Sequence, residues 1–246
     1  SMKNIIIAGG NGFLGTQFVN FLVNKKIYNI HIIDVKIKTI SKNNCFEYKC
    51  NVLNENKLVK IIKNIKKKFK TIDVLINCIA KDYNPNIKNK LSFESLSTKQ
   101  IKKDIEIGIL SSVIISKHVS AIMIKQKKGN ILNIGSDLSF ISPNQNIYNN
   151  FIKPVSYSIA KHSIIGLTKY LATYLASHNV RCNALCPGGI YNNHDKKFVK
   201  KLSKLIPMNR MAKIDELNKA MFFLISDDSS YVTGHSLIVD GGRTAW

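Results

Sequence analysis

The sequence predicts an α/β fold: a single domain over residues 2–246 in which one doubly wound parallel sheet of about seven strands carries helices on both faces. Two observations predict it. Short apolar runs without polar alternation recur along the chain between longer helical patterns, and a glycine-rich turn joins the first run to the first helix. Strands covered on both faces read as bare apolar runs, and parallel strands need helical crossovers between them.

The elements follow in order. NIIIAGG at 4–10 gives the first strand and its turn, FLGTQFVNFLVNKK from Phe13 the first helix, and NIHIIDV from Asn29 the second strand. A third strand precedes Asn51; ENKLVKIIKNIKKKF and TIDVLINCIA then supply a helix and the fourth strand. Beyond them come a helical region at about 97–127, a strand at 129–136, a helix from near 156, a strand at 180–187, a helix near 213–226 and a last strand at 236–240. The alternation implies right-handed βαβ units. Residues 137–155, polar, aromatic and containing proline, are longer than a simple connection and follow a strand, which makes them a candidate substrate or lid loop.

Composition excludes several function classes. With 246 residues and 45% hydrophobic content the chain can bury a large core. The formal charge of +22 suggests nucleic acid, yet of 37 basic residues only Arg181, Arg210 and Arg243 are arginines, and the lysines are scattered. A solvated lysine-rich surface is expected instead, KNIKKKFK at 63–70 being the polar end of a helix. Five cysteines, odd in number and without CxxC spacing, predict neither disulfides nor a metal site, and the histidines form no ligand cluster. No apolar stretch is expected to reach the roughly 18 residues that span a bilayer, and the early first strand leaves no room for a signal peptide. A soluble cytoplasmic protein is the expectation, with Ser1 before Met2 set aside as an added residue.

AGGNGFLG at 8–15 places Gly10, Gly12 and Gly15 in G-x-G-x-x-G spacing between strand and helix. Asp34 ends the second strand 19 residues after Gly15, close to the usual interval of about 20 in a Rossmann-type dinucleotide site. The glycines admit a pyrophosphate to backbone N–H groups and the positive helix end, and Asp34 can accept ribose hydroxyls. A carboxylate there repels a 2′-phosphate, so NAD(H) is preferred, with Lys36 near enough to leave NADP(H) open.

VSYSIAKHS at 155–163 sets Tyr157 and Lys161 one helical turn apart. With Ser136 closing the fifth strand, the pair resembles the YxxxK and serine of the short-chain dehydrogenase/reductase family. DVLINCIA, RCNALCPGGI and SSYVTGHSLIVDGG are similar to three further motifs of that family, in the same order and along the whole chain. The resemblance implies that Ser136, Tyr157 and Lys161 are catalytic. It implies a cofactor site from Gly9, Gly10, Asn11, Gly12, Phe13, Leu14, Gly15, Asp34, Asn51, Val52, Asn77, Cys78, Ile79, Ala80, Tyr157, Lys161, Pro187, Gly188 and Ile190, binding NAD with NADP as the variant. Departures stand beside it. Phe13 replaces a glycine of the loop, Asn51 an aspartate at the adenine, Cys78 and Ala80 the second Asn and the Gly of NNAG, and Glu106 or Gly108 the catalytic Asn of the fourth helix, which implies an altered proton relay.

The chemistry implied is hydride exchange with a secondary alcohol or ketone. A free phenol titrates near 10 and is a poor base at neutral pH; a neighbouring ammonium favours the phenolate. Tyr157 would take or give the proton, Lys161 would favour the phenolate and hold the nicotinamide ribose, and Ser136 would steady the oxygen. Tyr157 lies 21 residues after Ser136, longer than is common in the family. That loop and the terminal DGGRTAW resemble a subgroup of bacterial surface-sugar and nonulosonic-acid pathways, with Asn146, Tyr148, Asn149 and Asn150 suited to a polyhydroxylated substrate. A 3-oxoacyl-carrier-protein reductase is the alternative, and a non-catalytic nucleotide-sensing or RNA-binding protein the alternative of another class. The family's pairing of helices implies a homodimer or homotetramer.

Overall fold

In the computed structural model, which describes residues 2–40, 44–81, 92–149 and 151–246, seven strands form one parallel sheet in the order β3-β2-β1-β4-β5-β6-β7. The strands are β1 (Lys3–Ala8), β2 (Tyr28–Asp34), β3 (Cys45–Lys49), β4 (Val74–Asn77), β5 (Gly129–Ile134), β6 (Val180–Pro187) and β7 (Ser236–Val239). The order reverses between β1 and β4, and that switch point opens a crevice at the carboxyl ends of the strands.

Alternation along β1 shows how the apolar runs serve both faces. Ile6 and Ala8 enter one core cluster with Leu58, Ile62 and Ile65 of α2 (Glu55–Phe69), Ile115, Val119 and Met123 of α4 (Ser111–Gln126) and Leu171 and Leu175 of α5 (Val155–Leu175). Ile5 and Ile7 enter the other, with Phe18 and Leu22 of α1 (Phe13–Lys25) and Met221 and Leu224 of α7 (Asn218–Ile225). A third, smaller cluster joins Ile147, Ile206 and Met211 to Phe198 and Leu202 of α6 (Lys196–Ser203). Four of these residues, Ile147, Phe198, Leu202 and Met211, line the cleft described below.

The helical region at 97–127 is one continuous helix, Thr98–Gln126, made of α3 (Thr98–Ile105), a π-helical turn (Glu106–Leu110) and α4. It corrects the expectation that no apolar stretch is long enough to cross a bilayer: by length and composition this helix is. Its apolar side goes to the sheet, where Ile115, Val119 and Met123 are fully buried. Lys66, Lys67 and Lys68 occupy the last turn of α2, where cations complement the helix dipole.

His31 is fully buried in β2, its ring stacked on Phe46 and edge-on to Phe69, with Nδ1 3.2 Å from the Tyr48 hydroxyl. Burial, then the nearby Lys68, pulls its pKa down to about 4. The depressed folded value means stability is fully present above the unfolded pKa of about 6.5 and is lost as pH falls towards 4, by about 3 kcal/mol for this group. Thermal denaturation between pH 7 and 4 is therefore expected to show a smaller loss of Tm in His31→Phe than in the parent.

Candidate active site

The turn after β1 brings backbone where side chains would not fit. Gly9 sits at a φ of +77° against the end of β4, with a Cβ there 3.0 Å from Cys78 backbone atoms. A Cβ on Gly10 would come within 2.9 Å of Ile32, and one on Gly15 would collide with the Gly9 carbonyl oxygen. Gly12 caps α1 without a side chain, so the first-turn N–H groups face the cleft.

Asn11 is pinned between two carboxylates. Its N–H donates to Asp34 Oδ2 at 3.0 Å and its side-chain amide to Glu47 Oε1 at 2.8 Å, while Asp34 Oδ1 accepts the Lys36 N–H at 3.1 Å. Each Asp34 oxygen retains a lone pair for a ribose hydroxyl. The buried Asn11 Oδ1 finds no protein donor among the described residues, an acceptor that a bound hydroxyl can satisfy. Glycine cradle, helix end and ribose carboxylate thus fit a dinucleotide.

A cleft of about 280 Å³ runs from this loop across the carboxyl ends of β4, β5 and β6. Ser136, Tyr157 and Lys161, 25 residues apart at their extremes in sequence, all line it, as do Gly12, Phe13, Leu14, Gly15, Cys78, Ala80, Pro187, Gly188 and Ile190. Gly9, Gly10, Asn11, Asp34, Asn51 and Val52 lie outside its walls. Four residues expected at the cofactor have side chains engaged elsewhere. Asn77 is buried and donates to Asn133 Oδ1 and Ser116 Oγ, and Ile79 packs on the core. Asn51 Oδ1 already accepts the Leu53 N–H, and the Val52 side chain is in the core. Burial pushes the Cys78 thiol to about 12, making it a neutral wall residue.

Pro154 starts α5, whose first turn carries Tyr157 and whose second carries Lys161. Lys161 Nζ is buried and donates to the Ile134 carbonyl oxygen at 3.0 Å. A second ammonium, Lys153 Nζ, lies 3.8 Å from the centre of the Tyr157 ring, nearer than Lys161 Nζ at 5.8 Å. Gln145 holds the Lys153 backbone at both N–H and C=O, 3.0 Å each. Ser136 Oγ donates to Asp137 Oδ1 at 2.9 Å, and Asp137 Oδ2 is paired with Arg243 at 2.7 Å, both side chains buried. Lys153, Asp137 and Arg243 all line the cleft. Sequence reading missed all three: Arg243 meets Asp137 across 106 residues.

The 137–155 segment is a folded wall. Tyr148 stacks on Phe198 of α6, and Lys201 Nζ donates to Asn146 O and Asn149 Oδ1 at 3.0 Å. Asn149 thus turns its side chain to Lys201 of α6, and Asn146 its backbone carbonyl; of the four residues expected to suit a polyhydroxylated substrate, Tyr148 lines the cleft, Asn146 and Asn149 do not, and Asn150 lies outside the described residues. Of the two candidates for the missing Asn, Glu106 is exposed, and Gly108 faces α5, where a Cβ would come within 2.7 Å of Ala160 Cβ.

Residues 33–244 match a protein-family model described as enoyl-(acyl carrier protein) reductase. A 3-oxoacyl-(acyl carrier protein) reductase of Buchnera aphidicola subsp. Baizongia pistaciae is 31% identical over 98% of this chain and 96% of its own. Among solved structures, a short chain dehydrogenase from Leptospira borgpetersenii with bound NAD+ superposes with a TM-score of 0.89 at 28% identity, covering 99% of this chain and 93% of that one. The aldohexose dehydrogenase of Thermoplasma acidophilum gives 0.85 at 26%, covering 100% and 95%.

Arg243→Met would leave the Asp137 carboxylate buried without its cation, at a cost of about 3 kcal/mol. Urea denaturation should show that loss, and Asp137→Asn in the same chain should recover part of it.

Proposed function

This chain belongs to the short-chain dehydrogenase/reductase family, and on that premise we propose that it transfers a hydride between NAD(H) and a secondary alcohol or ketone, with Ser136, Tyr157 and Lys161 as its catalytic groups. The observation that carries the reading is their convergence on one cleft with the glycine loop. A bound nicotinamide supplies the acceptor or donor of the hydride. Tyr157 takes the alcohol proton, or gives it back to the carbonyl oxygen in reduction. Two ammonium groups beside its ring, on Lys153 and Lys161, favour the phenolate. Ser136 turns its proton from Asp137 to the substrate oxygen as charge develops there, while Arg243 keeps Asp137 in place.

Asp34, with Glu47 nearby, supports NAD(H) over NADP(H). For the substrate we favour a hydroxyl-rich molecule such as a sugar or nucleotide sugar. Tyr148, Lys153, Asn192, His194 and the Asp137–Arg243 pair give the cleft many hydrogen-bonding groups, and the aldohexose dehydrogenase likeness supports the same class. The second reading, a 3-oxoacyl thioester on a carrier protein, is supported by the Buchnera relative and by the apolar wall that Phe198 and Leu202 of α6 form with Met211. A homodimer or homotetramer remains the proposed assembly.

A panel of aldohexoses, amino sugars, nucleotide sugars and 3-hydroxyacyl thioesters, assayed with NAD+ and NADP+, separates the two readings. Tyr157→Phe is expected to lower kcat by about 10³ while NADH binding is retained; substantial turnover in that variant would remove Tyr157 from the chemistry. Fluorescence titration should give NADH at least about tenfold tighter binding than NADPH, about 1.4 kcal/mol.

A further inference from the structure

Each alcohol oxidised at Tyr157 leaves one proton that must reach solvent. In the main cleft the carboxylate beside the site, Asp137, is engaged by Ser136 and Arg243. Tyr157 and Lys161 also line a second, smaller cavity of about 10 Å³, shared with Lys81, Asp104, Gly108 and Ser156. That is room for about one water molecule, in a polar setting.

Asp104 is 4% exposed and lines this cavity. Its Oδ2 accepts the Ser156 hydroxyl at 2.7 Å; its Oδ1 accepts Lys81 Nζ and Gln100 Nε2, also at 2.7 Å each. Lys81 is a third exposed, so the cavity ends on a group in contact with solvent. The helix is shaped to leave this space open. Asp104 lies just before the π-helical turn, and Gly108 within that turn contributes no side chain where α5 passes at Ala160. Such turns recur at functional sites. Among the described residues the charged and titratable groups sharing the cavity are Lys81, from beyond β4, and Tyr157 and Lys161, from α5.

We propose that Asp104 terminates the proton path of this active site, accepting through the small cavity the proton that Tyr157 and Lys161 release. The proposal rests on the hydride-transfer reading above. In oxidation the substrate O–H bond breaks and the phenol O–H forms at Tyr157, while the hydride leaves carbon with its electron pair for the oxidised nicotinamide. The phenol proton passes to Lys161 as one of its N–H protons moves to a water in the cavity. The water's own proton forms an O–H bond at Asp104, which then breaks towards solvent at the Lys81 rim. One proton leaves per hydride transferred, and reduction runs the path in reverse.

Two measurements on the full chain test it, both with Asp104→Asn, which keeps the size of the side chain and an acceptor for Ser156. The first needs no substrate. The Tyr157 phenol is titrated by phenolate ultraviolet absorbance, as the difference between each protein and its Tyr157→Phe counterpart. Removing a negative charge that shares the small cavity with Tyr157 should lower the midpoint by about half a pH unit or more; an unmoved midpoint overturns the path. The second follows NAD+ reduction with the panel alcohol that turns over fastest. Asp104→Asn should lose about tenfold in kcat at unchanged cofactor KM, with added formate restoring part of the rate as a mobile carboxylate. A wild-type rate and pH profile in the variant, or a loss that formate leaves untouched, makes Asp104 a structural residue and overturns the proposal. If Tyr157→Phe keeps its turnover while the phenol midpoint still shifts, the hydride-transfer reading fails and the coupling of Asp104 to Tyr157 stands.

Discussion

The hydrogen bond from Lys161 Nζ to the Ile134 carbonyl oxygen ties α5, which carries the proposed catalytic pair, to the sheet. Ile134 is the last residue of β5 and Ser136 follows two residues later. One bond therefore sets the height of α5 against the strand end, and with it the position of the Tyr157 phenol relative to Ser136. A buried ammonium without that acceptor would carry a desolvation cost of several kcal/mol. The geometry of the site is thus coupled to the register of the fold rather than left to loops.

Around this bond the cleft is held by polar groups that satisfy one another in chains. Arg243 secures Asp137, which takes the Ser136 proton; Gln145 secures Lys153, which sits on the Tyr157 ring; Asp104 secures Ser156 in the first turn of α5. Ser136, Tyr157 and Lys161, the proposed catalytic side chains, thus each have a neighbouring group in contact with them, the kind of support that preorganised catalysis needs. The cofactor end is built on the opposite principle. There glycine removes side chains so that backbone can come close, and the Asn11 link to Asp34 and Glu47 holds the turn against β2 and β3.

Much of this was legible in the sequence because the physics that shapes parallel strands also writes their pattern. Ile5, Ile6 and Ile7 face both layers, so β1 could be read as a bare apolar run, and the glycine spacing marked the tight turn that Asp34 holds through Asn11. Local spacing likewise placed Tyr157 one turn from Lys161. What stayed hidden depends on contacts across long separations. Arg243 reads as a tail residue until the C-terminal segment folds back onto Asp137. Lys153 reads as a loop lysine among many until Gln145 clamps it. Asn149 reads as a substrate ligand because nothing local reveals that Lys201 on α6 takes its side chain. The π-helical turn has no sequence signature, and only its packing shows that Gly108, rather than Glu106, faces α5.

The central claim is that this cleft passes a hydride directly between nicotinamide and a substrate carbon. NADH carrying deuterium at the transferable nicotinamide position, incubated with the ketone form of the best panel substrate, tests it most directly by mass spectrometry of the product. Deuterium on the carbinol carbon, from one of the two nicotinamide faces only, is expected. Product without the label, or label lost to water, would contradict direct hydride transfer.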